Sequence, residues 1–267
     1  MSFFRNFPLK TYNFGDDERA TIFQDLSVYI DIIDQVSDNL AMYEIINIHD
    51  GERADTLSQK LYDTPEYYWM FYLLNENIRI QGWPLRYQDM LSTAKERYPN
   101  RVLTTEYEPV AGGSKQTYFS STVAKEFTVG KVVTGINSLA TGTIIERNLD
   151  LGQFVIKPIS GTLGIAIAPG SNIIENIAVD YGTTGQNSLK IIKASVQYDA
   201  VHHYEDINGN WVDIDPFDQT TSTSGKVAVT HLERFSAEND SLKQIKCFTP
   251  EVATQVNNEF QKLLRNR

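Results

Sequence analysis

Only four histidines, His49, His202, His203 and His231, offer acid–base or metal chemistry near neutral pH. Two of them adjoin in "HHYED". On a regular strand adjacent side chains point to opposite faces, so His202 and His203 are expected not to share one ion. The segment also lacks the zinc-helix pattern, in which two histidines stand one turn apart with a glutamate between them. "DINGNWVDID" sets Asp206, Asn208 and Asn210 in the order of a calcium loop. Trp211 stands where such a loop needs glycine, however, and Phe217 where it needs a bidentate glutamate, so a hairpin turn at Asn208-Gly209 is the better reading. "GTTGQNSLK", residues 182–190, has no Gly-Lys-Ser/Thr step and reads as a flexible loop. No Gly-x-Ser-x-Gly nucleophile elbow occurs. The single cysteine, Cys247 in "QIKCFTP", excludes an internal disulfide and a multi-cysteine metal site, and its apolar neighbours mark a buried thiol rather than a nucleophile. Carboxylates are plentiful in the first sixty residues, but their spacing singles out no glycosidase pair. The residues nominate no catalytic constellation, no metal site and no cofactor.

Composition narrows the classes further. The 267 residues are enough for one large domain or for two to three small ones. An apolar fraction of 41% with 22% charged residues is that of a globular chain. A net charge of −10 argues against nucleic acid as a partner, because replacing phosphate counterions needs a basic surface. The charge is uneven: residues 11–60 carry a net −8, whereas residues 243–267 carry a net +3. That asymmetry suits either two solvated faces or ordered docking onto neighbours of opposite charge. "MSFFRNFPLKTY" lacks the apolar core of a signal peptide and no run reaches transmembrane length, so the expectation is a protein made in the cytoplasm with no membrane span.

Four regions follow from the pattern, in an α+β fold. Residues 1–20 carry Phe3, Phe4, Phe7 and Tyr12 without helical or strand period, an extended aromatic arm that rests on its own domain or on a partner. Residues 21–107 begin with "TIFQDLSVYIDIIDQVSDN", whose spacings of three and four fit an amphipathic helix, with a strand open for part of it. "MYEIINIHDGE" reads as a strand ending at Asp50-Gly51. Thr56 and Gln59 suggest a capping box for a helix through Tyr62, and Thr64-Pro65 suggests the start of a second. That second helix carries eight consecutive apolar or aromatic residues, 67–74, and must be covered on more than one side. "NENIRI" is expected to lead into a strand, "GWPL" to turn, and "YQDMLSTAKERY" to form a helix stopped by Pro99. Residues 108–195 are glycine-punctuated and β-rich, as in an inserted small barrel or sandwich. Residues 196–267 hold the Asn208-Gly209 hairpin, the polar loop "DQTTSTSGK", a strand, and a C-terminal amphipathic helix capped by Thr249-Pro250 with a stripe at Val252, Val256, Phe260 and Leu264.

The stretch "EIINIHDGERADTLSQKLYDTPEYYWMFYLLNENI" resembles a LysM module, a strand–helix–helix–strand unit whose relatives bind N-acetylglucosamine polymers. "KLYDTPEYYWMFYLLNENI" followed by "GWPL", the hairpin "AVHHYEDINGNWVDI" and "NDSLKQIKCFTPEVATQVNNEFQKLL" together resemble the LysM-like baseplate wedge subunit of contractile-tailed phages, the wedge protein 53 family. The aromatic "SFFRNFPLKTYNFGD" is similar to the N-terminal arms of such tail proteins, and the likeness covers residues 1–105 and 196–267. It implies a non-enzymatic virion protein of the tail baseplate, made in the host cytoplasm. Its partners would be other wedge subunits and adjacent wedges, with neither nucleic acid nor membrane among them. The expected contact residues are Phe3, Phe4, Phe7, Tyr12, Tyr68, Trp69, Tyr72, Trp83, Val256, Phe260 and Leu264, since aromatic side chains dominate such interfaces. For any one of Tyr68, Trp69, Tyr72 and Trp83 the competing role is intradomain core. The alternative expectation is a peptidoglycan-binding LysM module of a wall-binding or wall-degrading tail protein, gripping glycan near residues 55–57 and 74–78.

Overall fold

The computed structural model describes residues 9–13, 20–24, 43–107, 114–164, 174–183 and 187–265. In chain order these form β1 (Leu9–Asn13), β2 (Ala20–Gln24), β3 (Tyr43–Asn47), α1 (Ala54–Tyr62), a tight 3-10 turn (Pro65–Tyr68), α2 (Trp69–Leu74), α3 (Glu76–Gln81) and α4 (Tyr87–Arg97). Next come β4 (Arg101–Glu106), α5 (Lys115–Tyr118) and α6 (Ala124–Glu126) joined by a π turn, β5 (Val132–Gly135), β6 (Thr141–Asn148), β7 (Gln153–Ser160), β8 (Glu175–Val179) and β9 (Ser188–Val196). The last elements are β10 (Val201–Glu205), β11 (Trp211–Val212), α7 (Gln219–Ser222), β12 (Val227–Thr230), α8 (His231–Ser241), β13 (Gln244–Phe248) and α9 (Pro250–Arg265). The fold is α+β and contains a closed six-stranded barrel. It divides into two compact units, Met1–Met90 with Ala237–Arg267, and Leu91–Ser236. Among the described residues no helix is long and apolar enough to cross a membrane.

In the first unit β3 pairs antiparallel with β13, Ile46 opposite Ile245, so a strand from near the start of the chain is completed by one from near its end. Helix α1 begins at Ala54, and the expected capping box does not form, because Thr56 already lies inside the first turn. The carboxylate of Asp55 accepts from the Thr56 amide instead, at 3.0 Å. Thr64 does cap the next turn, accepting from the Glu66 amide at 3.3 Å, with Pro65 at the first position. Helix α2 is then covered on two sides. Trp69, Met70 and Leu73 pack with Phe248, Ala253 and Phe260, while Phe71 packs with Ile48, Leu57, Ile78, Leu242, Ile245 and Cys247. Each large side chain so buried contributes about 1.5–3 kcal/mol.

The strand expected at "NENIRI" is instead the helix α3, ending at Gly82, whose φ of 95° needs no Cβ penalty. The strand that closes the unit is β13. The junction between α2 and α3 explains how. Asn75 is extended and its side chain does not cap α3. Its Nδ2 donates to the Phe71 and Lys246 carbonyls, each at 2.8 Å, and its Oδ1 accepts from the Lys246 amide at 2.8 Å. The Tyr62 hydroxyl donates to the Phe248 carbonyl at 3.0 Å. Two side chains thus occupy the outer edge of β13, where a further strand would pair. A second buried asparagine does the same elsewhere: Asn239 accepts from the Leu85 amide at 2.7 Å and donates to the Leu85 carbonyl at 2.9 Å.

Toward the N-terminus, Phe3, Phe4 and Phe7 lie outside the described residues. The expected period-free arm contains strand β1, which pairs with β2 from Leu9↔Gln24 to Asn13↔Ala20. The described part of the segment expected to be helical, residues 20–24, is therefore strand, and the remainder lies outside the described residues.

The second unit holds the barrel, in the order β4-β7-β6-β5-β8-β9. Its first strand begins at Arg101, ahead of the composition change at 108, because β4 is charged at its ends yet buries Val102, Leu103 and Thr105. Strand β9 includes Ser188, Leu189 and Lys190, so the predicted loop at 182–190 gives way to strand in its last third. Leu103, Phe127, Val133, Ile144, Phe154, Ile156, Ile177, Leu189 and Ile191 fill the interior. Glu175 is fully buried, yet accepts from the Ser138 amide and hydroxyl at 3.2 and 3.1 Å and from the Gly164 amide at 2.5 Å. Its carboxylate thereby ties the β5–β6 turn to the loop after β7. Gly142 has no room for a side chain, since a Cβ there would meet Ile156 Cγ2 at 2.3 Å.

Replacing Asn75 by alanine leaves the Lys246 amide and carbonyl without partners, so Asn75→Ala is expected to destabilise the first unit by about 2 kcal/mol. Asn75→Asp, which exchanges the donating nitrogen for an acceptor, is expected to be at least as harmful. Urea-unfolding midpoints of the two variants check both.

Candidate functional site: an internal aromatic face and a histidine relay

Of the residues expected to face partners, Tyr68, Trp69, Tyr72, Trp83, Val256 and Phe260 pack within the first unit, Trp69 and Phe260 buried and the other four half-buried. Trp69 is 4% exposed and meets Phe260, itself 2% exposed, with ring centroids 4.8 Å apart. Tyr68 and Val256 are half-buried against the same cluster. Tyr72 and Trp83 pack ring against ring at 6.0 Å, and the Trp83 indole donates to the Glu52 carbonyl at 2.7 Å. The reason is the helix itself: with apolar residues on every side, α2 takes cover from β13 on one flank and α9 on the other. Tyr12 lies in β1 opposite Thr21, and Leu264 lies in α9, but the side chains of both fall outside the described residues. The large apolar side chains left exposed are different ones, among them Leu9, Ile22, Ile45, Ile80, Ile207 and Trp211.

Where a LysM module would hold glycan, the first unit has a shallow polar groove of about 460 Å³ lined by residues 45, 74–77 and 244–246. Glu76 and Asn77 are exposed there, whereas the amide of Asn75 is fully engaged with the backbone. Cys247 is buried, and burial pushes its thiol up to about 12, with Glu44 adding a smaller push in the same direction.

The chemistry-bearing residues that do converge are the histidines of the second unit. Strand β10 pairs with β12 in a register that slips between Val201↔Thr230 and His203↔Val229, so His202 is an extra, bulged residue. The bulge overturns the expectation that His202 and His203 face apart: their Nδ1 atoms are 3.0 Å from each other. Arg234 Nη1 lies 2.5 Å from His202 Nε2, and His203 Nε2 lies 3.0 Å from Glu205 Oε1. The end groups assign every proton. A guanidinium can only donate, so His202 Nε2 accepts and the neutral ring carries its hydrogen on Nδ1. That hydrogen is donated to His203 Nδ1, which leaves the His203 hydrogen on Nε2, donated to the Glu205 carboxylate. The result is a one-way chain from Arg234 through His202 and His203 to Glu205.

Aromatic contacts enclose the chain. His203 stacks on Trp211 with centroids 4.0 Å apart and planes at 28°. His231 meets the edge of His202 at 5.0 Å and packs against Tyr98 at 4.7 Å. Burial, reinforced by Arg234 and the neighbouring histidines, lowers His202 to about 4. Burial, then Arg234, lowers His231 as well, and its buried Nδ1 has no hydrogen-bond partner. Among the described residues no group of three or more His, Cys, Asp or Glu side chains is arranged to hold a metal ion. "HHYED" and the short list of histidines gave the ring residues of this cluster, but the bulge, the part of Arg234 and the approach of His231 gave no sequence signal. The hairpin at Asn208-Gly209 forms as the motif predicts, with Gly209 at a φ of 80°.

No protein-family model matches this chain, and no curated protein matches it.

The burial of Cys247 yields a simple expectation. At pH 8 its thiolate is scarce and covered, so its reaction with a disulfide reagent is expected to be at least about a hundredfold slower in the native protein than in urea. Stopped-flow thiol titration in the two conditions measures the ratio.

Proposed function

We propose that the chain is a non-enzymatic structural subunit of a phage tail baseplate wedge, located in the virion, where it joins wedge subunits and neighbouring wedges by protein–protein contacts. The observation that carries the reading is that two of the three resembling blocks belong to one compact unit, the hairpin block lying in the other. The aromatic helix block of 60–85 and the closing strand and helix block of 239–264 are far apart in sequence, yet β3, α1, α2 and β13 make a strand–helix–helix–strand arrangement. That is the arrangement a LysM-like wedge subunit would have, with its last strand delivered from the far end of the chain and the barrel unit inserted between. The contact surface in this reading is the set of exposed apolar side chains, Leu9, Ile22, Ile45 and Ile80 of the first unit and Ile207 and Trp211 of the second, in place of the buried helix face.

A second reading, binding of N-acetylglucosamine polymer, rests on the polar groove beside residues 74–77 and 244–246. The commitment of Asn75 to the backbone takes one side-chain amide of that groove away from any sugar, while Glu76, Asn77 and Gln244 stay exposed there.

Immunogold electron microscopy of tailed particles from the source of this sequence, with an antibody to the barrel, tests the proposal. Gold is expected at the distal end of the tail. Reproducible absence of gold, with the epitope shown to be accessible on the free protein and on detergent-opened particles, contradicts it. Co-sedimentation of the free protein with purified cell wall, reversed by N-acetylglucosamine oligomers, would support the second reading instead.

A further inference from the structure

We propose that the chain Arg234–His202–His203–Glu205 is a pH-operated latch that holds the bulge of β10 and, through the stack of His203 on Trp211, the β10–β11 hairpin. The inference is independent of the assembly reading, since it concerns only groups within the second unit.

Two of the three links of the chain use a nitrogen that a proton would block. His202 Nε2 accepts from Arg234, and His203 Nδ1 accepts from His202. One proton taken from solvent at His203 Nδ1 sets two N–H groups against each other across a 3.0 Å gap. A proton at His202 Nε2 sets an N–H against the guanidinium. Either event replaces a hydrogen bond by a repulsion, and neither ring can turn away while keeping its other partner. His202 is the extra residue of the bulge and has no ladder partner, so in this proposal its side-chain contacts hold the local register of β10 on β12.

The groups facing the latch come from every element around it. Helix α8 presents Arg234 and His231, β10 presents Glu205, β11 presents Trp211, and Tyr98 packs against His231 from the end of α4. Arg234 also sits 5.9 Å from the Trp211 ring, so the indole contacts both the charged donor and the second imidazole of the chain. Glu205 is the one carboxylate among these groups, and it favours protonated rings. Arg234 opposes protonation, as does burial. For His202 the sum is a folded-state value near 4 against an ordinary 6.5. The folded form therefore binds fewer protons than the unfolded form in that interval. The stabilisation from the neutral ring is complete above 6.5 and is lost as pH falls toward 4. What the latch governs is a hairpin whose tip carries Ile207, 93% exposed, and whose short strand carries Trp211, 63% exposed.

Two spectra of the full-length protein test the latch. Nitrogen-15 spectra of the histidine rings at pH 7.5 are expected to show the His202 hydrogen on Nδ1 and the His203 hydrogen on Nε2. Fluorine-19 spectra with 5-fluorotryptophan give one resonance for each of the three tryptophans, and Trp211→Phe assigns the one that matters. The Trp211 resonance is expected to move reversibly between pH 6.5 and 4 while those of Trp69 and Trp83 stay in place. Amide protons of the Tyr204–Val212 ladder are expected to exchange about tenfold faster at pH 4.5 than at pH 7, after correction for intrinsic rates. The double variant His202→Gln, His203→Gln keeps a donor–acceptor chain of amides that takes up no proton, and is expected to abolish the Trp211 transition. The opposite tautomer at either ring, a Trp211 resonance indifferent to pH, or a transition that persists in the double variant overturns the proposal. Should the variant fail to fold, the ring spectra of the unaltered protein decide.

Discussion

The first unit depends on a side-chain amide doing the work of a β-strand. Asn75, at the break between two short helices, offers β13 a donor and an acceptor at the spacing a neighbouring strand would, and engages both backbone groups of Lys246. The two residues are 171 positions apart. A buried amide is tolerable only when its hydrogen-bonding capacity is met, and here all three of its bonds go to the backbone. Asn239 repeats the device on Leu85. Asn75 on Lys246 and Tyr62 on the Phe248 carbonyl blunt the exposed edge of a two-stranded sheet too small to be stable alone. They also lock the closing strand to the aromatic helix, which then has both of its flanks covered.

The consequence for function is a transfer of surface. An apolar helix of Trp, Met, Phe, Tyr and Leu invites assignment as a docking face, and in an isolated segment it would be one. Once β13 and α9 have closed over it, the helix contributes cohesion. The large apolar side chains that stay exposed are ones sequence patterning does not mark, such as Ile45 on the short β3 and Trp211 on the hairpin. In the second unit the barrel is self-sufficient, with a continuous apolar interior and a buried carboxylate satisfied by backbone amides. The histidines there lie outside the barrel, on the small sheet of β10, β11 and β12 and at the start of α8.

Legibility in the sequence followed the range of the forces involved. Local signals read well: Thr64-Pro65 started a helical turn, Asn208-Gly209 made a hairpin, α4 stopped before Pro99, and Pro250 opened α9. Signals that depend on a distant partner read poorly. "NENIRI" has alternating isoleucines, yet Asn75 is bonded to β13 and the residues from Glu76 on are helical, and no local pattern announces either. Residues 188–190 follow a glycine-rich stretch and nevertheless enter a strand, because β4 and β8 are there to pair with them. The histidine relay was half legible. The doublet was visible, but strict strand alternation predicted divergence, and one bulged residue reverses that geometry.

The measurement that tests this account most directly is native-state amide exchange at Lys246. Its side chain is exposed and its N–H points away from β3, so an ordinary edge strand would leave that proton to exchange freely. Held by Asn75 Oδ1, it is expected to exchange only with unfolding of the whole unit, as slowly as the Ile48 amide that bonds to the Lys243 carbonyl. A Lys246 amide that exchanges at the rate of a frayed edge, while Ile48 remains protected, would contradict the claim that one asparagine closes the unit.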